Sequence, residues 1–314
     1  HTQTDKLGAA LGDWLRDAML PAIYGAMAQR GWPTCPYVNP VKITPDDGIE
    51  DFLEVPRFST GYAALHQTIG FMPETHMLKP FADRYAAMRA LVEVVLAYTV
   101  EHGATIQALR RAARQAASSQ HTWPVLWKPD YSRPASFRFK GYAAVQRPSQ
   151  LGNYLRLAYD RNQPWERDIA WFNRCVVELA VSTPRSYLIP QAWREVINRL
   201  QWNGVVLERL AADQVFNGQA YLIDTVESRP GPYEGHMFHD GMTLRSVDAT
   251  LKARAGDVLV HLDQPRARYA VETLEPQAHD SFFRWGFFNS ILEKKEAFSD
   301  YVFEDTAQEM LEQE

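Results

Sequence analysis

The chain has few cysteines and no cysteine pattern that binds a metal. Cys35 and Cys175 are the only two among 314 residues, so at most one disulfide could form. One possible bridge does not identify a redox compartment. No Cys-x-x-Cys pair occurs, which excludes the common cysteine zinc motifs.

Long apolar runs and an excess of positive charge are also missing. No apolar run approaches the roughly 20 residues that a membrane-spanning helix needs. The net charge is -5, with 33 Lys and Arg against 38 Asp and Glu. We therefore expect a soluble protein with neither a membrane nor a nucleic acid as partner.

A Gly-rich phosphate loop and a Gly-x-Ser-x-Gly elbow are absent as well, and neither cysteine carries the signature of an activated thiol.

The remaining composition is that of an ordinary globular protein. With 46% hydrophobic and 23% charged residues, 314 residues suffice for two domains or for one domain with a smaller appendage. The sequence begins at His1, without a methionine and without a charged and then apolar leader. We expect a fragment of a longer protein, in preference to a chain from which a signal segment was removed.

Apolar spacing predicts helices in the first part of the chain. One helix is expected over residues 5–30, with Asp5 as its N-cap, a kink at Pro21 and a stop at Gly31. The proline-rich residues 31–56 indicate a long irregular loop, a kind of segment that usually lines a site or serves another function.

Two more helices are predicted downstream, over residues 81–101 and 104–117. The first is expected to pack against a sheet, and the second to expose a basic face. Residues 119–150 are rich in Pro, Trp, Ser and Arg and predict a transition between a first domain, residues 1–118, and a second, residues 151–314.

In the second domain the spacing of apolar residues changes to that of short strands, which predicts a mostly antiparallel, β-rich unit. Two helices are expected to interrupt it, over residues 190–202 and 281–296. The strands are predicted over residues 153–159, 205–210, 219–226, 243–251, 257–262 and 268–274.

Glu74 stands where an apolar run ends abruptly among polar and basic residues. A strand that delivers this carboxylate to its exposed end would hold a general base rigidly, because the strand fixes the backbone while the sheet edge admits solvent and substrate. The other interpretation is an exposed carboxylate in a surface pair with Lys79.

Residues 57–62 and 70–80 resemble the last catalytic segment of the carboxypeptidase-A-like zinc metallopeptidases. The resemblance extends to a bacterial subgroup of that family. It implies a partial α/β/α peptidase domain followed by a β-rich accessory domain with two helices. It also implies removal of C-terminal residues from peptides by zinc-activated water, with Glu74 as general acid/base. Further matching segments are residues 190–193, 229–236, 272–277 and 298–304.

The zinc ligands of that family have no counterpart in this sequence. They are a His-x-x-Glu pair and a later His, all of which precede the catalytic glutamate. The resemblance therefore implies zinc in the complete protein, with no metal ligand in this chain. Two alternatives stay open: the chain is half of a working enzyme, or the protein is a pseudo-enzyme.

Three residues near Glu74 are predicted to bind substrate. Arg57 could hold a terminal carboxylate bidentately, and the phenol of Tyr62 could belong to the same pocket. His76 lies two residues from Glu74 and would face the same side of an extended chain. For Arg57 the other interpretation is an exposed charge, and for Tyr62 it is ordinary packing.

His66 alternates with apolar neighbours, which favours a core or rim position. His1 is terminal and is expected to be disordered, the alternative being that it closely follows the missing third zinc ligand. The group of Glu234, His236, His239 and Asp240 is dense in metal-capable side chains, but its Gly- and Pro-rich approach favours a turn over a metal site.

A rival function is non-catalytic binding of peptides or glycans on aromatic side chains. Trp123, Trp127 and Tyr131 could form a stacking surface, or they could pack inside the protein. The resemblance implies a periplasmic or secreted location and a peptide substrate. The oligomeric state and the preferred side chain at the cleaved end are left open.

Overall fold

The computed structural model describes residues 1–293 and 300–313, and it has a mixed α/β fold. Helices dominate the first 118 residues and strands dominate the next 140. This agrees with the α/β class predicted from the sequence. The α/β/α arrangement stays a prediction, since the only strand among residues 1–118 is the two-residue β1, Ile49–Glu50.

The predicted helix over residues 5–30 is present as two α-helices joined by a wider turn. Helix α1 covers Ala9–Trp14 and α2 covers Leu20–Gln29, with a π-turn over Leu15–Met19 between them. Pro21 lacks an N–H, which removes one i to i−4 hydrogen bond and explains why the helix departs from α geometry there. Gly31 ends α2 with φ +79°, as predicted.

Asp5 is not the N-cap that the sequence suggested. It lies in a 3-10 turn, Thr4–Lys6, and its carboxylate accepts a hydrogen bond from the backbone N–H of Cys175 at 2.8 Å. The position before α1 is taken by Gly8, which has φ +89°. The acidic side chain therefore joins two distant segments of the chain and does not start a helix.

Residues 31–56 are largely irregular, as predicted, apart from a 3-10 turn over Pro45–Asp47 and the short strand β1. The next element, α3, covers Ser59–Leu65. A single helix of 38 residues, α4, then covers Phe81–Ser118, where two helices were predicted. Gly103 has open space around it and weakens the helix by only about 1 kcal/mol, too little to break it.

Helix α4 packs against α1 and α2, and the prediction that it packs against a sheet is wrong. Ala90 and Val94 of α4 are buried in one cluster with Leu11, Leu15 and Ile23. The apolar face of α4 therefore completes a small helical core. Its C-terminal part approaches a later helix, α6.

The segment expected as a transition between domains contains two strands. Strand β2, Thr122–Pro129, pairs antiparallel with β5, Cys175–Ser182. Strand β3, Ala135–Pro148, pairs antiparallel with β4, Leu155–Phe172, whose end also pairs in parallel with β1. The pairing of β2 is irregular between Pro124 and Trp127. The domain boundaries themselves stay predictions.

Strands β6, Ser186–Ile189, and β7, Glu208–Arg209, flank β10, Val258–His261, in an antiparallel sheet. Strands β8, Gln214–Ser228, and β9, His239–Ala253, form a long two-stranded ribbon. The antiparallel pairing predicted for this part of the chain is confirmed.

Helix α5, Arg194–Trp202, also agrees with the sequence. The strand predicted over residues 268–274 is wrong, because α6, Ala267–Leu274, occupies it. Its apolar residues at 267, 270, 271 and 274 have the helical spacing. The helix predicted over residues 281–296 is also wrong where described: turns lead to a 3-10 turn over Asn289–Leu292, and residues 294–296 lie outside the described part. The last element is α7, Asp300–Leu311.

The second core lies between α5, α6, β2, β6 and β10. It contains Trp123, which is 3% exposed, while Trp127 is 7% exposed. The aromatic stacking surface suggested by the sequence therefore does not form, because two of its three members are buried. Tyr131 is exposed, contacts Phe172 and donates a hydrogen bond to Glu50.

Both cysteines are free thiols, Cys35 exposed and Cys175 buried. None of the helices in the described residues combines the length and the apolar character required to cross a bilayer. Burial raises the pKa of the Cys175 thiol to about 12, so it stays protonated at neutral pH.

The close approach of the N-terminal segment to α1 predicts opposite effects of two glycine substitutions. A Cβ at Gly12 would collide with the backbone carbonyl of Thr4, whereas a Cβ at Gly25 in α2 would meet open space. We expect Gly12→Ala to destabilise the fold by roughly 2 kcal/mol or more through overpacking. Gly25→Ala should stabilise it by about 0.5–1 kcal/mol. Urea unfolding measures both, and equal effects would contradict the packing described here.

Candidate functional site

The four predicted site residues all lie between residues 57 and 76, and the structure fixes this segment at two places. Near its start, the backbone carbonyl of Glu54 accepts a 2.6 Å hydrogen bond from Lys6 Nζ. Further on, Gly70 and Thr2 form two 2.8 Å hydrogen bonds, Thr2 N–H to the Gly70 carbonyl and Gly70 N–H to the Thr2 hydroxyl. The N-terminal segment thus determines where the chain leaves the core.

Glu74 follows Gly70 by four residues on an irregular surface segment. The strand predicted to carry it is absent: residues 59–65 form α3, and residues 68–76 have no regular structure. A strand needs a neighbouring strand for its N–H and C=O groups, and here the backbone bonds to another segment only through the Thr68 carbonyl and through Gly70, both to Thr2. Pro73 also removes one donor just before Glu74.

The Glu74 carboxylate is exposed to solvent. Within residues 1–293 it makes no hydrogen bond and no ion pair, and the suggested surface pair with Lys79 does not form. The side chain is therefore available to a ligand or to water. Its catalytic role stays a prediction.

His76 shapes the turn that leads into α4. Its ring Nδ1 accepts a 3.2 Å hydrogen bond from the Leu78 N–H, and its carbonyl accepts one of 3.0 Å from the Lys79 N–H. Since Nδ1 acts as an acceptor, the proton of the neutral ring lies on Nε2, which remains exposed. Nε2 could therefore donate to a ligand on the surface.

Tyr62 projects from α3 and is 46% exposed. Its hydroxyl donates a hydrogen bond to the side-chain oxygen of Asn203, which caps the C-terminus of α5. The ring packs edge-on against His66, with 4.9 Å between ring centroids. To bind substrate, the phenol would have to break its hydrogen bond to Asn203 and form one to the substrate.

Arg57 is held by a buried carboxylate. Its Nε and Nη2 lie 2.9 and 2.7 Å from Asp280 Oδ1, and its backbone N–H lies 2.8 Å from Oδ2. The guanidinium also lies over the rings of Tyr233, Phe238 and Trp285, 4.5–5.2 Å from their centroids. A substrate carboxylate would have to compete with Asp280 for this cation.

The structure does not bring the four predicted residues together by direct contact. Throughout residues 1–293, no hydrogen bond, ion pair or ring contact joins any two of Arg57, Tyr62, Glu74 and His76. Each has its own partners or none. They share one stretch of backbone but do not touch one another.

Metal ligation finds no support among the residues that the structure describes. No group of three or more His, Cys, Asp or Glu side chains gathers there in a way that could hold an ion. In the group of Glu234, His236, His239 and Asp240, the expected turn covers residues 233–236, whereas His239 and Asp240 begin β9. The His239 ring bonds Ser228 and Asn289, and Asp240 pairs with Arg229. The described residues of this chain thus do not fit a zinc ion.

Sequence reasoning missed a buried group of ionisable side chains beside the segment. Lys6 is 3% exposed, and desolvation lowers the pKa of its ammonium to about 8. Arg268 and Glu272, both buried, pair at 2.6 Å on α6 and act electrostatically on Lys6. Spacing shows Arg268 and Glu272 as an i, i+4 pair, but nothing in the sequence indicates that the sixth residue, a lysine, is buried.

An open cleft of about 420 Å³ lies beside this group, and Asp5, Asp13, Arg16, Trp127 and Cys175 are among its lining residues. A second concavity of about 500 Å³ lies on the ribbon of β8 and β9. Neither contains a predicted site residue. Their shape therefore does not identify a place for the predicted chemistry.

The Arg57–Asp280 pair predicts a large effect of removing its carboxylate. Asp280→Asn leaves Arg57 without its charge partner in a half-buried place, and we expect a loss of about 3 kcal/mol in the free energy of unfolding. Asp224→Asn, which breaks the exposed pair with Arg245, is the matched control and should cost less than about 1 kcal/mol. Similar losses in chemical denaturation would show that Arg57 is not held by Asp280.

The buried His279 predicts a loss of stability in acid. Its Nε2 accepts a 2.9 Å hydrogen bond from the Trp127 N–H, and burial lowers its pKa from 6.5 to about 4. As the pH falls from 6.5 to 4, the unfolded chain binds a proton that the folded chain does not. The stability present above pH 6.5 is therefore lost over that range, by on the order of 2 kcal/mol.

The variant His279→Gln lacks this titration, so comparing it with the original chain separates the effect of His279 from that of other groups. The difference in unfolding free energy between the original chain and the variant should shrink between pH 7 and pH 4.5, in urea titrations at each pH. A difference that stays constant with pH would contradict a depressed pKa at His279.

Comparisons with known proteins give one partial likeness. No family model matches the chain, and no solved structure matches it. It is 32% identical over 108 residues to carboxypeptidase 2 of Trichophyton tonsurans and to that of Trichophyton rubrum, and 31% identical over 102 residues to a probable carboxypeptidase 2 of Arthroderma benhamiae. These matches cover 32–34% of this chain and 19–20% of each relative. The chain thus spans about one fifth of the length of the curated relatives it matches, and over a third of its own length it is distantly similar to fungal carboxypeptidases.

Proposed function

We propose that this chain belongs to a peptidase-like hydrolase that removes residues from peptide C-termini, and that Glu74 is its general acid/base. The distant similarity to carboxypeptidases supports a peptidase in general terms. The resemblance of residues 57–62 and 70–80 to a catalytic segment supports the finer assignment to Glu74. Glu74 takes a proton from the attacking water and returns it to the leaving amine nitrogen, which restores the carboxylate.

The observation that carries the proposal is that Glu74 is exposed and unpaired between two anchored points. Upstream, the Gly70–Thr2 hydrogen bonds fix the backbone, and downstream the turn of residues 76–79 leads directly into α4. A carboxylate that exchanges protons must be reachable by water and must not be neutralised by a cation. Glu74 meets both conditions.

Zinc belongs to the proposal only as an ion held by residues outside this chain. The described residues do not gather into a site for it. What this chain contributes is the proton-transferring carboxylate, with Tyr62 and His76 as exposed polar groups near it in sequence. Arg57 binds the substrate carboxylate only if Asp280 releases it.

The proposed substrate is a peptide, and the proposed location is the periplasm or the exterior of the cell. The net charge of -5 argues against nucleic acid as an alternative ligand. The rival proposal of an aromatic binding surface has lost its basis, because Trp123 and Trp127 are buried.

The decisive substitution is Glu74→Gln in the natural full-length protein. It keeps the shape of the side chain and removes its ability to accept a proton. Because general acid/base catalysis contributes about 10²–10⁴ in rate, we expect kcat/KM for a blocked dipeptide to fall at least roughly 100-fold. Thermal unfolding should be nearly unchanged, since Glu74 holds no partner in the fold.

Glu178→Gln is the matched control, because Glu178 is also exposed and has no partner in the described residues. It should hydrolyse the dipeptide at the original rate. The assignment of Glu74 fails if its variant stays active, and the proposal of a hydrolase fails if the unaltered full-length protein, supplied with zinc, cleaves nothing.

A further inference from the structure

Three arginines and one histidine converge where α3 ends. Arg110 and Arg114 extend from α4, and Arg266 lies immediately before α6. His66 follows the last residue of α3, and its Nδ1 lies 2.9 Å from Arg266 Nη1. All four side chains are partly buried. The convergence brings three positive charges, from distant parts of the sequence, around one imidazole.

No carboxylate balances these charges in the described part of the chain. None of Arg110, Arg114 and Arg266 forms an ion pair there, and no Asp or Glu is among the groups that act electrostatically on Arg110 and Arg266. Burial, and next the neighbouring guanidiniums, lower the pKa of Arg110, and burial and Arg114 lower that of Arg266. The pattern differs from that of Arg57, Arg133 and Arg268, each of which faces a carboxylate.

Two buried hydrogen-bond donors in the cluster have no partner of good geometry among the described residues. One is Nε of Arg114. The other is Nε2 of His66. The neighbouring Asn203 side chain acts on this ring, but it does not lie in hydrogen-bond geometry with Nε2. Because Arg266 donates to Nδ1, the proton of the neutral ring lies on Nε2, and burial together with Arg266 lowers the pKa of His66 and keeps it neutral. Buried donors without acceptors are costly, which favours an acceptor supplied from outside.

Capping of α3 explains only part of the cluster. Arg110 donates to the carbonyl of Gln67 at 2.9 Å and to the hydroxyl of Thr68 at 2.7 Å, as a cation at a helix C-terminus should. The contact of Arg114 with the His66 carbonyl is long, 3.5 Å, and Arg266 bonds His66 through its ring alone. Arg110 alone supplies the cation at the end of α3, so the charges of Arg114 and Arg266 are not needed for the cap.

We propose that His66, Arg110, Arg114 and Arg266 form a binding site for a small oxyanion, a carboxylate or a phosphate. Guanidinium groups bind both of these anions through two parallel N–H···O hydrogen bonds. An oxyanion between the arginines would offset the repulsion between their charges and accept hydrogen bonds from the unpartnered donors. The site does not include Glu74, and it stands whether or not the protein is a peptidase.

The test is titration calorimetry of the full chain with sodium phosphate and, separately, with sodium acetate, at constant ionic strength set by sodium chloride. We expect saturable binding of at least one of the two anions. Tighter binding of phosphate assigns the site to phosphate groups, and tighter binding of acetate assigns it to carboxylates. Absence of saturable binding for both would overturn the proposal.

Substitutions locate the binding. Arg266→Gln should lower the affinity for the anion at least about tenfold, the usual effect of losing a charged hydrogen bond. Arg111→Gln is the matched control, because Arg111 is the exposed neighbour of Arg110 on the same helix. It should bind the anion within twofold of the original chain. Equal weakening in both variants, or none in Arg266→Gln, would overturn the assignment.

Arg266→Lys keeps the assignment testable if the glutamine variant fails to fold, as judged by circular dichroism. Lysine preserves the charge but loses the planar pair of donors. We expect binding several-fold weaker than in the original chain, and affinity equal to that of the original would contradict bidentate recognition by Arg266.

Discussion

Burial of the first residues of the chain is the constraint on which the remaining structure depends. Thr2 hydrogen-bonds Gly70 through its backbone and its hydroxyl, Asp5 accepts a hydrogen bond from the backbone of Cys175, and Lys6 donates to the segment before α3. Residues 2–6 thus join the helical core, the segment that carries Glu74 and strand β5. Because these contacts are polar and buried, they have specific partners and directions.

This arrangement has an electrostatic cost that other groups offset. The Lys6 ammonium leaves water, which is why its pKa falls to about 8, and its Nζ is satisfied by the carbonyl of Glu54 at 2.6 Å. The neighbouring Arg268–Glu272 pair has no net charge, so Lys6 brings one positive charge into the interior. A buried charge with few alternatives favours one packing arrangement over others, which fits its position between three parts of the chain.

Helices were predictable here wherever their own spacing determines them. The helix ending at Gly31 and α5 satisfy a local rule, apolar residues on one face, and both were found. Strands were less predictable because a strand is stabilised by a neighbour that may be distant in sequence. Strand β2 contains Pro124 and was interpreted as part of a linker, yet it pairs with β5, some 50 residues later. The strand predicted at Glu74 failed for the converse reason, since no described strand lies beside it.

The site residues show the same limit. The sequence indicated Arg57 as a cation, but only the structure shows that Asp280, more than 200 residues later, holds it. The arginine cluster could not have been inferred, because Arg110 and Arg266 are brought together by the packing of α4 against α6.

Glu74 and the arginine cluster both lack a counter-charge among the described residues, but the consequence differs between them. An exposed carboxylate such as Glu74 is stabilised by water, so the absence of a partner costs little, and its assignment rests on the resemblance of the surrounding sequence. Half-buried guanidiniums without a counter-charge repel one another through a medium that screens poorly. A fold that keeps Arg110, Arg114 and Arg266 together therefore needs a compensating interaction, and the carbonyls at the end of α3 supply only part of it. The argument for a ligand is energetic at the arginine cluster and chemical at Glu74, and the two are independent.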